Sequence, residues 1–134
     1  MRIEHVAFNV AEPQKMAAWY VEHLGFTIKR AAGEPPYAHF LADDTGGVMI
    51  EIYHNAAYEV PDYPRQNPLL LHLALVSHDV AADVERLTVA GATVAEGVKQ
   101  TPTGDTMCML RDPWGFPVQL CQRAKPMISQ GGAR

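Results

Sequence analysis

Only two cysteines, Cys108 and Cys121, occur in the 134 residues, and they lack the Cys-x-x-Cys spacing of a zinc knot or a dithiol redox centre. They fall in segments that pattern as neighbouring strands, so reduced core thiols are expected rather than a disulfide. No apolar run approaches the ~20 residues needed to cross a bilayer. The opening MRIEHVAF carries Glu4 and His5 where a secretory signal would be apolar. The expected location is therefore cytoplasmic, with no membrane partner. Basic residues are few and scattered: 11 Lys and Arg against 15 Asp and Glu give a net charge of -4. Nucleic-acid binding, which needs clustered cations, is not expected. A phosphate-cradling glycine loop and a supported Ser-His-Asp or Cys-His pair are also missing. What is present, 48% hydrophobic and 19% charged residues, excludes disorder and fits one soluble domain or two very small ones.

The chain reads as a repeat. His5-Val-Ala-Phe opens one copy and His72-Leu-Ala-Leu the other, while Asp44, Gly47 and Glu51 of DTGGVMIEI correspond to Asp112, Gly115 and Gln119 of DPWGFPVQL. The second set of landmarks is displaced by one residue more than the histidines, as a single insertion would produce. In the first copy a strand is predicted over Ile3 to Val10. A helix follows, started by Pro13, striped by Met16, Trp19, Tyr20 and Leu24, and stopped by Gly25. In the second, a strand over Leu69 to Ser77 precedes a helix capped by Asp79, striped by Val80, Val84 and Leu87, and stopped by Gly91.

Three further strands follow each helix, over Thr27 to Ala31, Ala38 to Ala42 and Val48 to Tyr53, then Thr93 to Glu96, Thr106 to Arg111 and Pro117 to Gln122. The organisation is module one over 1–54, a proline-bearing extended linker over 55–68, module two over 69–122 and a loose tail over 123–134. A βαβββ unit of this size cannot cover both faces of its sheet alone. The expected fold is α+β, with two βαβββ modules forming a curved, partly open, eight-stranded barrel-like sheet and helices on the outside. Pairing within one chain and exchange between two chains are both open.

Side chains alternate along a strand, so His5 shares a face with Ala7 and Asn9. Glu51 lies between Ile50 and Ile52, His72 between Leu71 and Leu73, and Gln119 between Val118 and Leu120. With the bulky aliphatics packed under the helices, the four polar residues point to the concave side. A carboxylate and two imidazoles in a partly enclosed cavity need a partner. Two His, one carboxylate and one amide oxygen suit a divalent ion such as Zn, Ni, Co, Mn or Fe(II). The bland alternative is Glu51 paired with a protonated His5 or His72; the coincidence of four such residues at corresponding positions favours the metal. Trp19 and Tyr20 are expected in the core, His39 facing the cavity, and His23, His54 and His78 at the surface or in turns. Tyr58, Tyr63 and Arg65 suit either a lid over an anionic substrate or a solvated connection, and Cys121 shares the face of Gln119, where a packed thiol is expected ahead of a residue bordering the pocket.

The paired strand-helix-three-strand copies, the His openings, the phrase WYVEHLGF and the ending DPWGFPVQL together resemble the vicinal oxygen chelate superfamily, from Met1 to about Gln122. That group includes glyoxalase I, methylmalonyl-CoA epimerase, extradiol dioxygenases, and fosfomycin and bleomycin resistance proteins. The resemblance implies a metal held from the first and fourth strands of each module by His5, Glu51, His72 and Gln119, a substrate chelated through two vicinal oxygens, and a homodimer. In glyoxalase I the last ligand is usually a Glu that can act as base; Gln119 can coordinate but cannot accept a proton at neutral pH. Glu51 thus becomes the candidate base. Methylmalonyl-CoA epimerase is similar in combining two His, one Gln and one Glu, with amide and acid in the opposite modules. Asn9 stands where glyoxalase I commonly has an Arg, and Asn55 resembles a glutathione-contacting Asn.

The leading expectation is a glyoxalase I-like, metal-dependent lyase or isomerase on a small vicinal-oxygen substrate. An Fe(II) dioxygenase and a non-catalytic protein that sequesters a small ligand, as bleomycin resistance proteins do, are the alternatives.

Overall fold

Proline and glycine set the limits of the first helix. In the computed structural model, which describes residues 1–128, α1 (Pro13–Leu24) begins at Pro13, whose missing N–H is no loss in a first turn. It ends at Gly25, held at φ 73° with its N–H on the Tyr20 carbonyl. Met16, Ala17 and Tyr20 form its buried face, whereas Trp19 sits half-buried on the flank with its ring 5.1 Å from that of His23. In α2 (Val80–Val89), the Asp79 carboxylate accepts the Ala82 N–H at 3.0 Å, and Val80 and Leu87 are buried. No helix among the described residues is long and apolar enough to cross a membrane.

The chain divides into two compact units, Met1–Pro61 and Asp62 onward. The first holds β1 (His5–Asn9), β2 (Thr27–Ala31), β3 (His39–Ala42) and β4 (Met49–Tyr53) in the order β1-β4-β3-β2. The second holds β5 (Leu73–Val76), β6 (Thr93–Gln100), β7 (Thr106–Arg111) and β8 (Pro117–Gln122) in the order β5-β8-β7-β6. Each is a βαβββ module with its first and last strands parallel and the rest antiparallel. The expected α+β architecture is thus realised as two four-stranded open sheets, each carrying one helix.

Within the first unit α1 packs on β2, β3 and β4. Leu41, Ile50 and Ile52 close against Met16 and Tyr20 as its core, each full burial being worth ~1.5–3 kcal/mol. The start of β1 lies beyond the helix, so Val6 stays 49% exposed while Phe8 is buried. In the second unit α2 covers β6, β7 and β8 over Leu87, Leu110, Val118 and Leu120.

Three predicted strands keep their ends; others do not, for local reasons. The strand predicted over Leu69 to Ser77 shortens to β5 because the Asn67 side chain and carbonyl accept the N–H groups of Leu69 and Leu70, both at 2.9 Å, and turn the chain. His72 consequently sits just ahead of β5. The stretch 55–68 is not an extended linker but a succession of turns, with Tyr58 bonded back to Asn55 and both Arg65 and Gln66 to Asp62. Tyr63 is no lid residue: it is buried at 5% exposure with its ring 4.9 Å from Phe116. Of the predicted loose tail, residues 129–134 lie outside the described residues.

The repeat itself is refined. Asp43, not Asp44, is the turn residue of the first copy, its carboxylate accepting the Thr45 N–H as Asp112 accepts that of Trp114. Gly46, not Gly47, then matches Gly115, since each donates to the carbonyl of its turn aspartate. Between the turn glycine and the oxygen donor the first copy is then one residue longer, since Gly46 precedes Glu51 by five positions and Gly115 precedes Gln119 by four.

Candidate metal centre

Parallel pairing fixes which side chains of the first sheet share a face. Ala7 pairs with Glu51, and His5, two residues earlier, lies on the same side. His5 Nε2 stands 3.4 Å from Glu51 Oε2, while its Nδ1 is 3.0 Å from Glu4 Oε1. A carboxylate only accepts, so Nδ1 carries the hydrogen toward Glu4. Nε2 of the neutral ring would then set a lone pair against Glu51, and a cation belongs between them, whether a proton or a metal ion. Phe40 pairs with Glu51 and meets His5 edge-on at 5.4 Å, and the Arg30 guanidinium carbon lies 5.8 Å from the Phe40 ring centre. The His5–Glu51 pair thus has an aromatic wall with a guanidinium behind it.

The second sheet repeats this register. Ala74 pairs with Gln119 as Ala7 pairs with Glu51, and His72 precedes Ala74 by two residues as His5 precedes Ala7. His72 Nδ1 is 2.8 Å from the Pro68 carbonyl, which can only accept; the N–H is therefore on Nδ1 and the lone pair on Nε2. Gln119 Oε1 accepts from the Cys121 thiol at 3.4 Å. Burial pushes the Cys121 thiol above its ordinary pKa, with Arg123 opposing and Asp105 adding to the shift. Both thiols are buried and unbridged, as expected.

Other expected site residues fall elsewhere. The Asn9 amide clasps the loop after β4, accepting the Asn55 N–H at 2.9 Å and donating to the carbonyls of Asn55 and Tyr58. The Asn55 side chain accepts from Ala57. Both therefore hold loop 55–58, the place where a ligand-contacting role had been expected. Arg65 has an 88% exposed side chain facing Asp62 at 3.6 Å. His39 does not face the cavity: it pairs with Ile52, on the helix side, and is buried with Nδ1 on the Tyr37 carbonyl. Sequence reasoning missed Glu4 and the Pro68 carbonyl as orienting partners of the two imidazoles. Adjacent strand residues ordinarily point apart, so nothing in the spacing of Glu4 and His5 announced their contact.

Among the described residues no three His, Cys, Asp or Glu side chains cluster as a ready metal cage. The donors present are nevertheless the right kind. Each unit holds an imidazole whose Nδ1 faces an oxygen acceptor and an oxygen donor at the same register position, donor types suited to borderline divalent ions.

The sequence model of the Glyoxalase/Bleomycin resistance protein/Dioxygenase superfamily matches residues 2–120. The chain belongs to this superfamily. Among its relatives, lactoylglutathione lyase of Salmonella typhimurium is 27% identical over 91% of this chain and 93% of its own length. The crystal structure of TnmS3, an antibiotic binding protein from Streptomyces sp. CB03234, superposes with a TM-score of 0.72 at 25% identity, covering 92% of this chain and 97% of that one. SMU.1112c gives 0.70 at 30% identity over 91% and 98% of the two chains. The superfamily thus brackets this chain between a named lyase and a named binding protein.

Proposed function

We propose that the protein is a metal-dependent lyase or isomerase for a small vicinal-oxygen substrate, with His5, Glu51, His72 and Gln119 as the donors of one divalent ion. The observation that carries this reading is the 3.4 Å opposition of His5 Nε2 and Glu51 Oε2, with Nδ1 already engaged by Glu4. A bound divalent ion would act as a Lewis acid for negative charge developing on a substrate oxygen. Glu51 removes a proton from the carbon beside that oxygen and returns it to the neighbouring position. Gln119, which cannot take a proton, contributes a neutral oxygen and leaves the base role to Glu51. The working partners are the small molecule and a second copy of the chain.

Metal content after equilibration with Zn, Ni, Co, Mn or Fe(II) tests the ligand set: about one ion per assembled site is expected, and negligible content with every ion would sink it. Glu51→Gln should lower kcat for solvent-proton exchange into the substrate by about 10²-fold or more, the usual size of a general-base contribution, with a smaller change in substrate affinity.

A sequestering role is the second reading, favoured by the likeness to TnmS3 across nearly its whole length. Tight ligand binding by metal-stripped protein, with no conversion by the metallated form, would select it. Oxygen uptake that depends on Fe(II) would select a dioxygenase.

A further inference from the structure

The second sheet carries a cavity that the metal donors do not use. It has a volume of about 370 Å³, within the range of small-molecule sites, and runs along β5 and the end of β8. Ala74, Val76 and Cys121 line it on one side and Pro126, Met127 and Ile128 on the other. Val76 pairs with Cys121 just as Ala74 pairs with Gln119, so the cavity begins beside Gln119 and continues two residues, about 7 Å, along the same face.

Its walls define what would fit. Val76, Met127 and Ile128 are 48%, 74% and 69% exposed, which is apolar surface that a bound solute would remove from water. Two of the polar lining groups are engaged: Ser77 Oγ donates to Asp83 at 2.6 Å, and Arg123 donates to Asp105 at 2.9 Å. Asp105 also accepts the Ala124 N–H at 2.9 Å, which fixes the direction in which the chain leaves β8 toward 126–128. The far wall is thus anchored at its root, and His78 sits exposed at the rim.

We propose that this cavity binds the apolar body, aromatic or alicyclic, of a small organic molecule whose oxygen-bearing end lies toward Gln119. Placing the oxygen end there rests on the proposed metal function; the cavity itself does not. The substrate class it selects is an uncharged, apolar-bodied oxygen compound, not a tripeptide conjugate whose carboxylates would need cations.

The test uses the full chain without metal and 1-naphthol as probe, followed by fluorescence titration and by amide shifts in ¹⁵N spectra. Saturable binding is expected, with shifts confined to residues 74–78 and 121–128 and no competition from glutathione. Val76→Glu and Met127→Glu, both at exposed positions, should weaken binding at least tenfold, whereas Leu70→Glu, exposed outside the cavity, should change it less than twofold. Absence of binding by the wild type, equal affinity in the two cavity variants, or shifts located elsewhere would overturn the proposal. Metal content is measured on the same samples. Naphthol binding by a chain that takes up no metal would retain the cavity and remove the metal reading, and the reverse result would do the opposite.

Discussion

Replacing Gly115 by Ala should be much more costly than replacing Gly46, although the two glycines occupy the same place in the two copies. Both have positive φ, 81° and 68°, and each N–H bonds to the carbonyl of its turn aspartate. A side chain in that conformation costs about 1–2 kcal/mol. At Gly46 nothing lies within 4 Å of an added Cβ, so the cost ends there. At Gly115 the Cβ would lie 2.3 Å from Pro64 Cγ and 2.9 Å from Pro64 Cα, atoms of a ring and backbone that cannot rotate away. They are also pinned: Arg111 Nη1 donates to the carbonyls of Tyr63 at 2.6 Å and Gly115 at 3.1 Å, and Nη2 to that of Gln66 at 2.8 Å. Overpacking of this kind adds about 1–3 kcal/mol. Gly115→Ala should thus cost about 2–5 kcal/mol in total, a large part of the 5–15 kcal/mol typical of a domain. Urea unfolding followed by far-ultraviolet circular dichroism measures both variants. Costs equal to within about 0.5 kcal/mol would refute the steric argument, because only that term separates the two sites.

Asp79→Ala removes the cap on α2 and should cost about 1 kcal/mol in the same unfolding assay; no loss would mean that the Ala82 N–H finds an equal partner. The Ala124 N–H, then the Arg123 guanidinium, hold the Asp105 carboxyl below its ordinary value of 3.8. A depressed carboxyl contributes stability above its unfolded pKa and loses it as pH falls through the native value, so the wild type should forfeit its advantage over Asp105→Asn below about pH 4. Parallel acid titrations of the two proteins would show otherwise. Gln119→Glu should retain metal and bind it at least as tightly by adding a second carboxylate, measured by competition with a chelator; loss of metal would remove Gln119 from the ligand set.

Much of this could be read from periodicity and punctuation. Pro13, Gly25 and Asp79 act at the positions their chemistry assigns them, and the strands over Thr27–Ala31, Thr106–Arg111 and Pro117–Gln122 have the ends that patterning indicates. Alternation also placed Glu51 and Gln119 opposite the aliphatics that pack beneath the helices. What was not legible depended on side chains reaching across the pattern. Asn67 ends a run of leucines that hydropathy alone reads as strand, and Asn9 closes on a loop far along the chain. Tyr63, in a proline-bearing stretch that composition assigns to solvent, is core because Phe116 offers it a ring. His39 lies on the helix side because its register with Ile52 is fixed by pairing, which a single strand's sequence does not reveal.

Glu51 and Gln119 hold the same place in their sheets, so their exchange between the copies changes the chemistry at one register position. Ala7 with Glu51 and Ala74 with Gln119 are the same pairing, although His5 opens β1 while His72 stands just ahead of β5. Their surroundings differ in charge as well. His5 is flanked by the carboxylates of Glu4 and Glu51, whereas His72 is oriented by the Pro68 carbonyl. Glu51 is the only carboxylate among the four proposed donors, which is why the proposed function gives it the base role. Gln119, which looks like a lost carboxylate when the copies are aligned, sets a neutral amide in register with Ala74, one of the residues that line the apolar cavity.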